Sequence, residues 1–130
     1  MDARAIDHVN VRIPADRVDE AVAFYRDGLG FETENLQAWR DGERPLFSFR
    51  LCESSVVHVS PTDGFEPPTE HNYRHYCIVL DADIDDIKTV LDEAGIEIDR
   101  ESNPLGATGR NPAVYVTDPF GYKLELKAGQ

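Results

Sequence analysis

Two stretches of this chain run through the same order of residue types, and that repetition limits the possible folds more than any other feature. "HVNVRIPADRVDEAVAFYRDGLGFE" starts at His8 and "HYCIVLDADIDDIKTVLDEAGIE" at His75, an offset of 67 in the numbering. Each is a histidine, an alternating apolar strand, an acidic turn, an amphipathic helix, then glycine and a second strand. Val9, Val11 and Ile13 share one strand face in the first copy, and Tyr76, Ile78 and Leu80 in the second, since side chains two apart point the same way. Val18, Val22, Tyr25 and Leu29 form an apolar helix stripe, matched by Ile84, Ile87, Leu91 and Ala94. Asp16 and Asp83 are the expected N-caps, and Gly28 or Gly30 and Gly95 the expected stops. Strands at Leu46–Leu51 and Ser55–Val59 complete the first copy, and Ala113–Thr117 and Tyr122–Lys127 the second. The expected architecture is α+β: two βαβββ modules, at about 5–60 and about 72–128, in a single domain over 1–130.

The repeat also organises metal-capable side chains. His58 and Glu125 stand at the same offset as His8 and His75, and within each copy the spacing is 50, from His8 to His58 and from His75 to Glu125. Taken alone, "DPFGYKLELK" reads as a solvated strand face with Lys123, Glu125 and Lys127 outward. The repeat makes Glu125 a candidate ligand instead. Strand phase points His8, His58, His75 and Glu125 away from the helix-packed side, and pairing of the copies, within one chain or across a dimer, would gather them. His71, in the polar "EHNYR", reads as solvated.

Composition narrows the partners. A length of 130 residues with 41% hydrophobic content suits one globular domain. With 25 acidic residues against 13 basic and a net charge of −12, the surface repels phosphate backbones and anionic lipids, which excludes nucleic acid and membrane as partners. Abundant acid with few lysines suits a salt-rich cytosol, a halophilic origin. The longest apolar run, "YCIVL", is far too short to span a bilayer, and the N-terminus lacks a signal-peptide pattern, so a cytoplasmic location is expected. Cys52 and Cys77 sit in no CxxC and read as two buried thiols. Cys77 shares the face of His75, and it reads as a small filler before it reads as a ligand.

The chain resembles the vicinal oxygen chelate superfamily of glyoxalases, fosfomycin-resistance thiol transferases, extradiol dioxygenases and bleomycin-resistance proteins. "DHVNVRIP", "AVAFYRDGLGFE", "RHYCIVL" and "VYVTDPFGYKLEL" carry the resemblance, which covers almost the whole chain. It implies a glyoxalase-like fold, a cup-shaped mixed sheet around a divalent metal. It also implies metal ligands on first and last strands: His8, His75 and Glu125. His58 stands on the fourth ligand position, where glyoxalases commonly carry Glu or Gln. The bleomycin-resistance branch lacks these ligands.

Imidazole with carboxylate suits Fe, Mn, Ni, Co or Zn. Three ligands would leave room for a catechol and dioxygen, the extradiol dioxygenase pattern, whereas four leave two positions and favour isomerase or lyase chemistry. The glyoxalase-like reading is preferred, with Glu125 as the base the resemblance suggests. The alternatives are a dioxygenase, a thiol transferase to an epoxide, and a metal-free small-molecule-binding resistance protein.

Tyr115, ten residues before Glu125, resembles the site tyrosine of extradiol and fosfomycin-resistance enzymes. It would donate a hydrogen bond to an oxygen held by the metal, or else to a neighbouring side chain. Asn10 and Arg12 share the face of His8 and suit the anionic end of a small-molecule substrate. "LQAWRDGERPLF" reads as a loop over the cup mouth, with Trp39 and Arg44 as substrate contacts, and "NPLGATGRNP" as a second loop carrying Arg110. "SPTDGFEPPTEHNY" is the linker. Superfamily members of this length commonly pair, so a homodimer is expected.

Overall fold

β1 (His8–Pro14) alternates as a half-buried strand must, with Val11 and Ile13 inward and His8, Asn10 and Arg12 outward. It belongs to a computed structural model that describes residues 1–129 and divides into two compact units, Met1–Phe65 and Glu66 onward. A 3-10 turn (Ala15–Arg17) leads into α1 (Val18–Val22), which widens into a π-helical segment over Ala23–Gly28. The Leu29 amide donates to the Phe24 carbonyl at 2.9 Å, five residues back. This corrects the regular stripe expected from sequence. The wider turn brings Phe24 and Tyr25 both inward, Tyr25 stacking on Phe49 with ring centroids 4.9 Å apart, while Leu29 is only half-buried. Asp16 is a turn residue and not an N-cap, because Pro14 (φ −59°) starts the 3-10 turn two residues earlier.

Gly30, at φ 85°, reverses the chain into β2 (Glu32–Glu34). The stretch expected to be a loop then holds a short helix, α2 (Leu36–Arg40). Leu36 is buried, and Trp39, three residues on and so on the same side, lies 5.9 Å from Phe47 between ring centroids. β3 (Phe47–Cys52) and β4 (Ser55–Thr62) complete a sheet ordered β1-β4-β3-β2, with β1 parallel to β4 and the other pairs antiparallel. Phe47, Phe49, Val57 and Val59 fill the helix-covered face.

The second unit repeats the plan. β5 (Tyr76–Leu80) is followed by α3 (Ile84–Glu93). Asp83 caps that helix as expected, its Oδ1 accepting from the Asp86 amide at 2.9 Å. Gly95, at φ 69°, ends it, with the Ile96 amide donating to the Leu91 carbonyl. Ile87 and Leu91 are buried, whereas Ala94 is exposed at the frayed end of the stripe. After β6 (Arg100–Ser102), the second expected loop contains a small hairpin, β7 (Leu105–Gly106) with β8 (Gly109–Arg110). β9 (Ala113–Thr117) and β10 (Lys123–Ala128) close a sheet ordered β5-β10-β9-β6, again with one parallel pair, β5 with β10. Both units are therefore βαβββ at their core, and the fold class is α+β as the repeat predicts.

Both cysteines are exposed as residues, which overturns the reading of buried thiols, although the Cys77 sulfur itself is partly withdrawn from water beside Glu125. Cys52 follows a bulge at the end of β3, and Cys77 lies on the polar face of β5, an edge strand covered on one side only. Among the described residues, no helix is long and apolar enough to cross a membrane.

Candidate functional site

In the first unit the parallel ladder sets Asn10 beside His58, and the antiparallel ladder sets Ser48 on its other side. His8 comes from the start of β1, and its ring lies 4.5 Å from that of His58, tilted by 52°. Each imidazole uses its Nδ1 internally: His8 Nδ1 is 2.7 Å from Asp7 Oδ2, and His58 Nδ1 is 2.6 Å from Ser48 Oγ. The Asp7 carboxylate can only accept, so His8 donates Nδ1–H and keeps its lone pair on Nε2. The Ser48 hydroxyl occupies the Nδ1 side of His58 and leaves Nε2 as its outward nitrogen. The hydrogen bond from His8 holds the Asp7 carboxyl below its usual range. Burial, then the neighbouring His8, holds the His58 imidazole below its usual range, with Asp7 pulling the other way. A neutral His58 is the ligand form.

In the second unit Glu125 occupies the equivalent position on β10. Cys77 is its parallel neighbour on β5 and Tyr115 its antiparallel partner on β9. That register is fixed by the turn before β10, where Asp118 Oδ1 accepts from the amides of Phe120 and Tyr122, both at 2.9 Å. Glu125 is only 5% exposed. Its Oε2 accepts the Tyr115 hydroxyl at 2.9 Å and lies 3.0 Å from His75 Nε2. Burial and the Glu125 carboxylate push the Tyr115 phenol up, so it stays a proton donor at neutral pH. Burial of the sulfur and the same carboxylate push the Cys77 thiol up to about 12, so it is a thiol there and not a ready thiolate ligand.

Sequence-predicted residues outside these pairs are placed differently. Asn10 accepts from Ser60 Oγ at 2.7 Å, on the face of His58. Arg12 and Arg44 are exposed. Trp39, against Phe47, lies on the opposite face of the first sheet from His58, because Phe47 and Ser48 alternate along β3. Arg110 sits on the hairpin and donates to the Asn103 carbonyl at 2.8 Å. Lys127 is not the outward residue that simple alternation implies. It is 2% exposed, with its ammonium donating to the Gly109 carbonyl at 2.5 Å, so the hairpin lies over it. Gly106 allows that approach, since a Cβ there would stand 3.0 Å from Lys127 Nζ.

Ser48 and Arg100 escaped the sequence reading. Ser48 stands at the same offset from the predicted Tyr115 that separates His58 from Glu125, so the repeat would have found it as the equivalent of Tyr115. Arg100 faces Tyr115 across the β6–β9 ladder, where Glu34 faces Ser48 in the first unit. That offset is 66, one out of step with the rest, because the segments between the helices and these strands differ in length.

Among the described residues, no group of three or more His, Cys, Asp or Glu side chains is gathered around one point. Each unit instead supplies a pair: two imidazoles in the first, an imidazole and a buried carboxylate in the second. These donors suit a borderline divalent metal, and three of the four have a neighbour that fixes the ligating group: Asp7 for His8, Ser48 for His58 and Tyr115 for Glu125.

A family model described as the glyoxalase/bleomycin resistance protein/dioxygenase superfamily matches residues 5–126. Among solved structures, a glyoxalase family protein from Bacillus anthracis is 26% identical, covers 100% of this chain and 98% of its own, and superposes with a TM-score of 0.75. Lactoylglutathione lyase from Agrobacterium tumefaciens is 25% identical over 98% of this chain and 95% of its own, with a TM-score of 0.63. The fosfomycin resistance protein FosX from Listeria monocytogenes shares the fold at 16% identity, with 98% and 95% coverage and a TM-score of 0.63. No curated protein matches the sequence.

Proposed function

From the premise that this chain belongs to the glyoxalase/bleomycin resistance protein/dioxygenase superfamily, we propose that it is a divalent-metal-dependent isomerase or lyase acting on a small molecule with two neighbouring oxygens. The observation that carries the reading is the repeated pair. His8 stands beside His58 in one unit, and His75 stands 3.0 Å from Glu125 in the other, each pair on the face away from the helices. The proposed ligands are His8, His58, His75 and Glu125, the two pairs meeting within one chain or across two copies of it. Iron, manganese, nickel, cobalt and zinc all suit that donor set.

When bound, such a metal supplies Lewis acidity toward a pair of substrate oxygens. The chain supplies the proton transfer. Glu125 takes a proton from the hydroxyl-bearing carbon beside a carbonyl and returns it to the former carbonyl carbon. The hydroxyl proton passes between the two neighbouring oxygens, so the substrate is isomerised with no net loss of atoms. Its burial keeps water from competing for that proton, and His75 and Tyr115 hold its Oε2 in place. Four protein ligands favour this chemistry over dioxygenation, and His58 beside His8 is what supports a fourth ligand.

Metal analysis of untagged protein tests the proposal, together with formation of S-lactoylglutathione from methylglyoxal and glutathione after loading with Ni, Zn, Mn or Fe. Uptake near one metal per site with turnover of this or a related hydroxyketone or ketoaldehyde is expected. Failure to take up any of these metals sinks the reading.

A further inference from the structure

The second unit contains a recess of about 220 Å³ lined by His75, Tyr73 and Tyr115 together with three cationic side chains, Arg74, Arg100 and Lys123. We propose that this recess is an oxyanion subsite in which Arg100, supported by Arg74 and Lys123, receives the carboxylate or phosph(on)ate group of a small ligand. The proposal deepens the functional reading above, because the recess opens beside His75 and Tyr115, but it requires no metal.

The charge pattern carries the argument. Acidic residues outnumber basic ones by 25 to 13, so carboxylates are in excess on this chain. Arg17, Arg26, Arg40, Arg50 and Lys88 pair with Glu20, Asp27, Asp19, Glu34 and Glu101 respectively. Arg74, Arg100 and Lys123 have no ion-pair partner among the described residues, and all three line the same recess. Its single carboxylate, Glu70, is within ion-pair distance of none of them. Three cations without a carboxylate partner around one depression make it locally positive on an otherwise acidic chain, a place that favours an anion.

Arg100 is the member best prepared to bind. The β6–β9 ladder sets it directly across from Tyr115, and its guanidinium carbon lies 4.3 Å above the Tyr115 ring centroid. The ring steadies the guanidinium, and none of its N–H groups has a hydrogen-bond partner among the described residues, so they can grip a carboxylate or phosphonate with two parallel hydrogen bonds. The corresponding place in the first unit holds Glu34, which closes on Arg50 through both carboxylate oxygens at 2.8 and 2.9 Å. A free cation at this ladder position is therefore particular to the second unit. A recess of about 220 Å³ is smaller than a whole ligand pocket and suits an acidic head group.

The test titrates phenylphosphonate and benzoate, separately, into metal-free full-length protein at fixed ionic strength, followed by 1H–15N NMR. Saturable binding of at least one is expected, with shifts centred on Arg100 and Tyr115. Phenylphosphonate alone would identify a phosph(on)ate ligand and benzoate alone a carboxylate, and either supports the subsite. Arg100→Gln should raise Kd roughly tenfold or more, and Lys123→Gln by less. Arg100→Lys should keep part of the affinity, and Arg26→Gln, the same charge change in the first unit, should keep all of it. Wild-type affinity in Arg100→Gln, equal weakening in Arg26→Gln, or no saturation by either anion would overturn the proposal. Metal uptake measured on the same samples separates the two claims. Anion binding without uptake would sink the metal reading alone, and uptake without anion binding would sink the subsite alone.

Discussion

Tyr115 donates its hydroxyl to Glu125 Oε2 at 2.9 Å, straight across the β9–β10 ladder. Ser48 and His58 repeat the relationship at the equivalent positions of the first unit, at 2.6 Å. Tyr115→Phe removes the hydrogen bond and little volume. Metal affinity should weaken by about tenfold, so that content at saturating metal stays near wild type. Turnover at saturating metal should fall by roughly a hundredfold, the ordinary worth of a well-placed donor in a water-poor site. Unchanged turnover in the metal-loaded variant would reduce Tyr115 to a structural neighbour of Glu125.

His58 separates four ligands from three. His8→Ala, His75→Ala and Glu125→Ala should each abolish metal retention after desalting. Ser48→Ala should weaken affinity about tenfold to a hundredfold through loss of the ring's orientation, and His58→Ala should weaken it further. Equal metal content in wild type and His58→Ala would move the reading to three ligands, and oxygen consumption with catechols would become the decisive assay.

Acid should release the metal, and the direction follows from His58. Its folded pKa lies below the ordinary 6.5, so the stability and ligation supplied by the neutral ring are complete above 6.5 and are lost as pH falls through the lowered value. Retention measured from pH 8 downward should hold to below 6.5 and then fail. Loss beginning well above that point would contradict a depressed His58.

Mixing variants tests where the two pairs meet. A His8→Ala chain keeps the second pair intact, and a His75→Ala chain keeps the first. We expect the refolded mixture to recover metal in up to half of the two-chain species, as a site shared across a homodimer requires. A mixture as empty as its components would assign each site to a single chain.

The two exposed cysteines should differ in reactivity. Hydrogen bonds from Ser54 lower the Cys52 thiol pKa, whereas burial of the sulfur and Glu125 push Cys77 up to about 12. At pH 8, iodoacetamide followed by peptide mapping should label Cys52 faster by on the order of a hundredfold, the thiolate difference being offset in part by the greater nucleophilicity of the more basic sulfur. Raising the pH, or Glu125→Gln, should bring Cys77 into reaction.

The repeat made much of this legible. Strand phase has period two and helix stripes period 3.6, so residue order alone assigned the βαβββ modules, the N-cap at Asp83 and the outward direction of His8, His58, His75 and Glu125. An equal offset implies equal strand positions, and the registers Asn10 with His58 and Cys77 with Glu125 repeat it residue for residue. Local signals failed where a third element decides. Lys127 alternates like a solvated lysine, but a hairpin 18 residues away folds over it and takes its ammonium. Trp39 looks like a loop aromatic, but Leu36 and Phe47 draw it to the helix side as part of α2. Arg100 carries no motif at all. Its place over Tyr115 exists only because β6 pairs with β9, and whether a cation lacks a carboxylate depends on every neighbour that packing brings near it. Periodicity is a property of the chain, and so it can be read along it. Pairing between distant strands, and the burial and charge balance that result, are properties of the folded surface and are fixed only there.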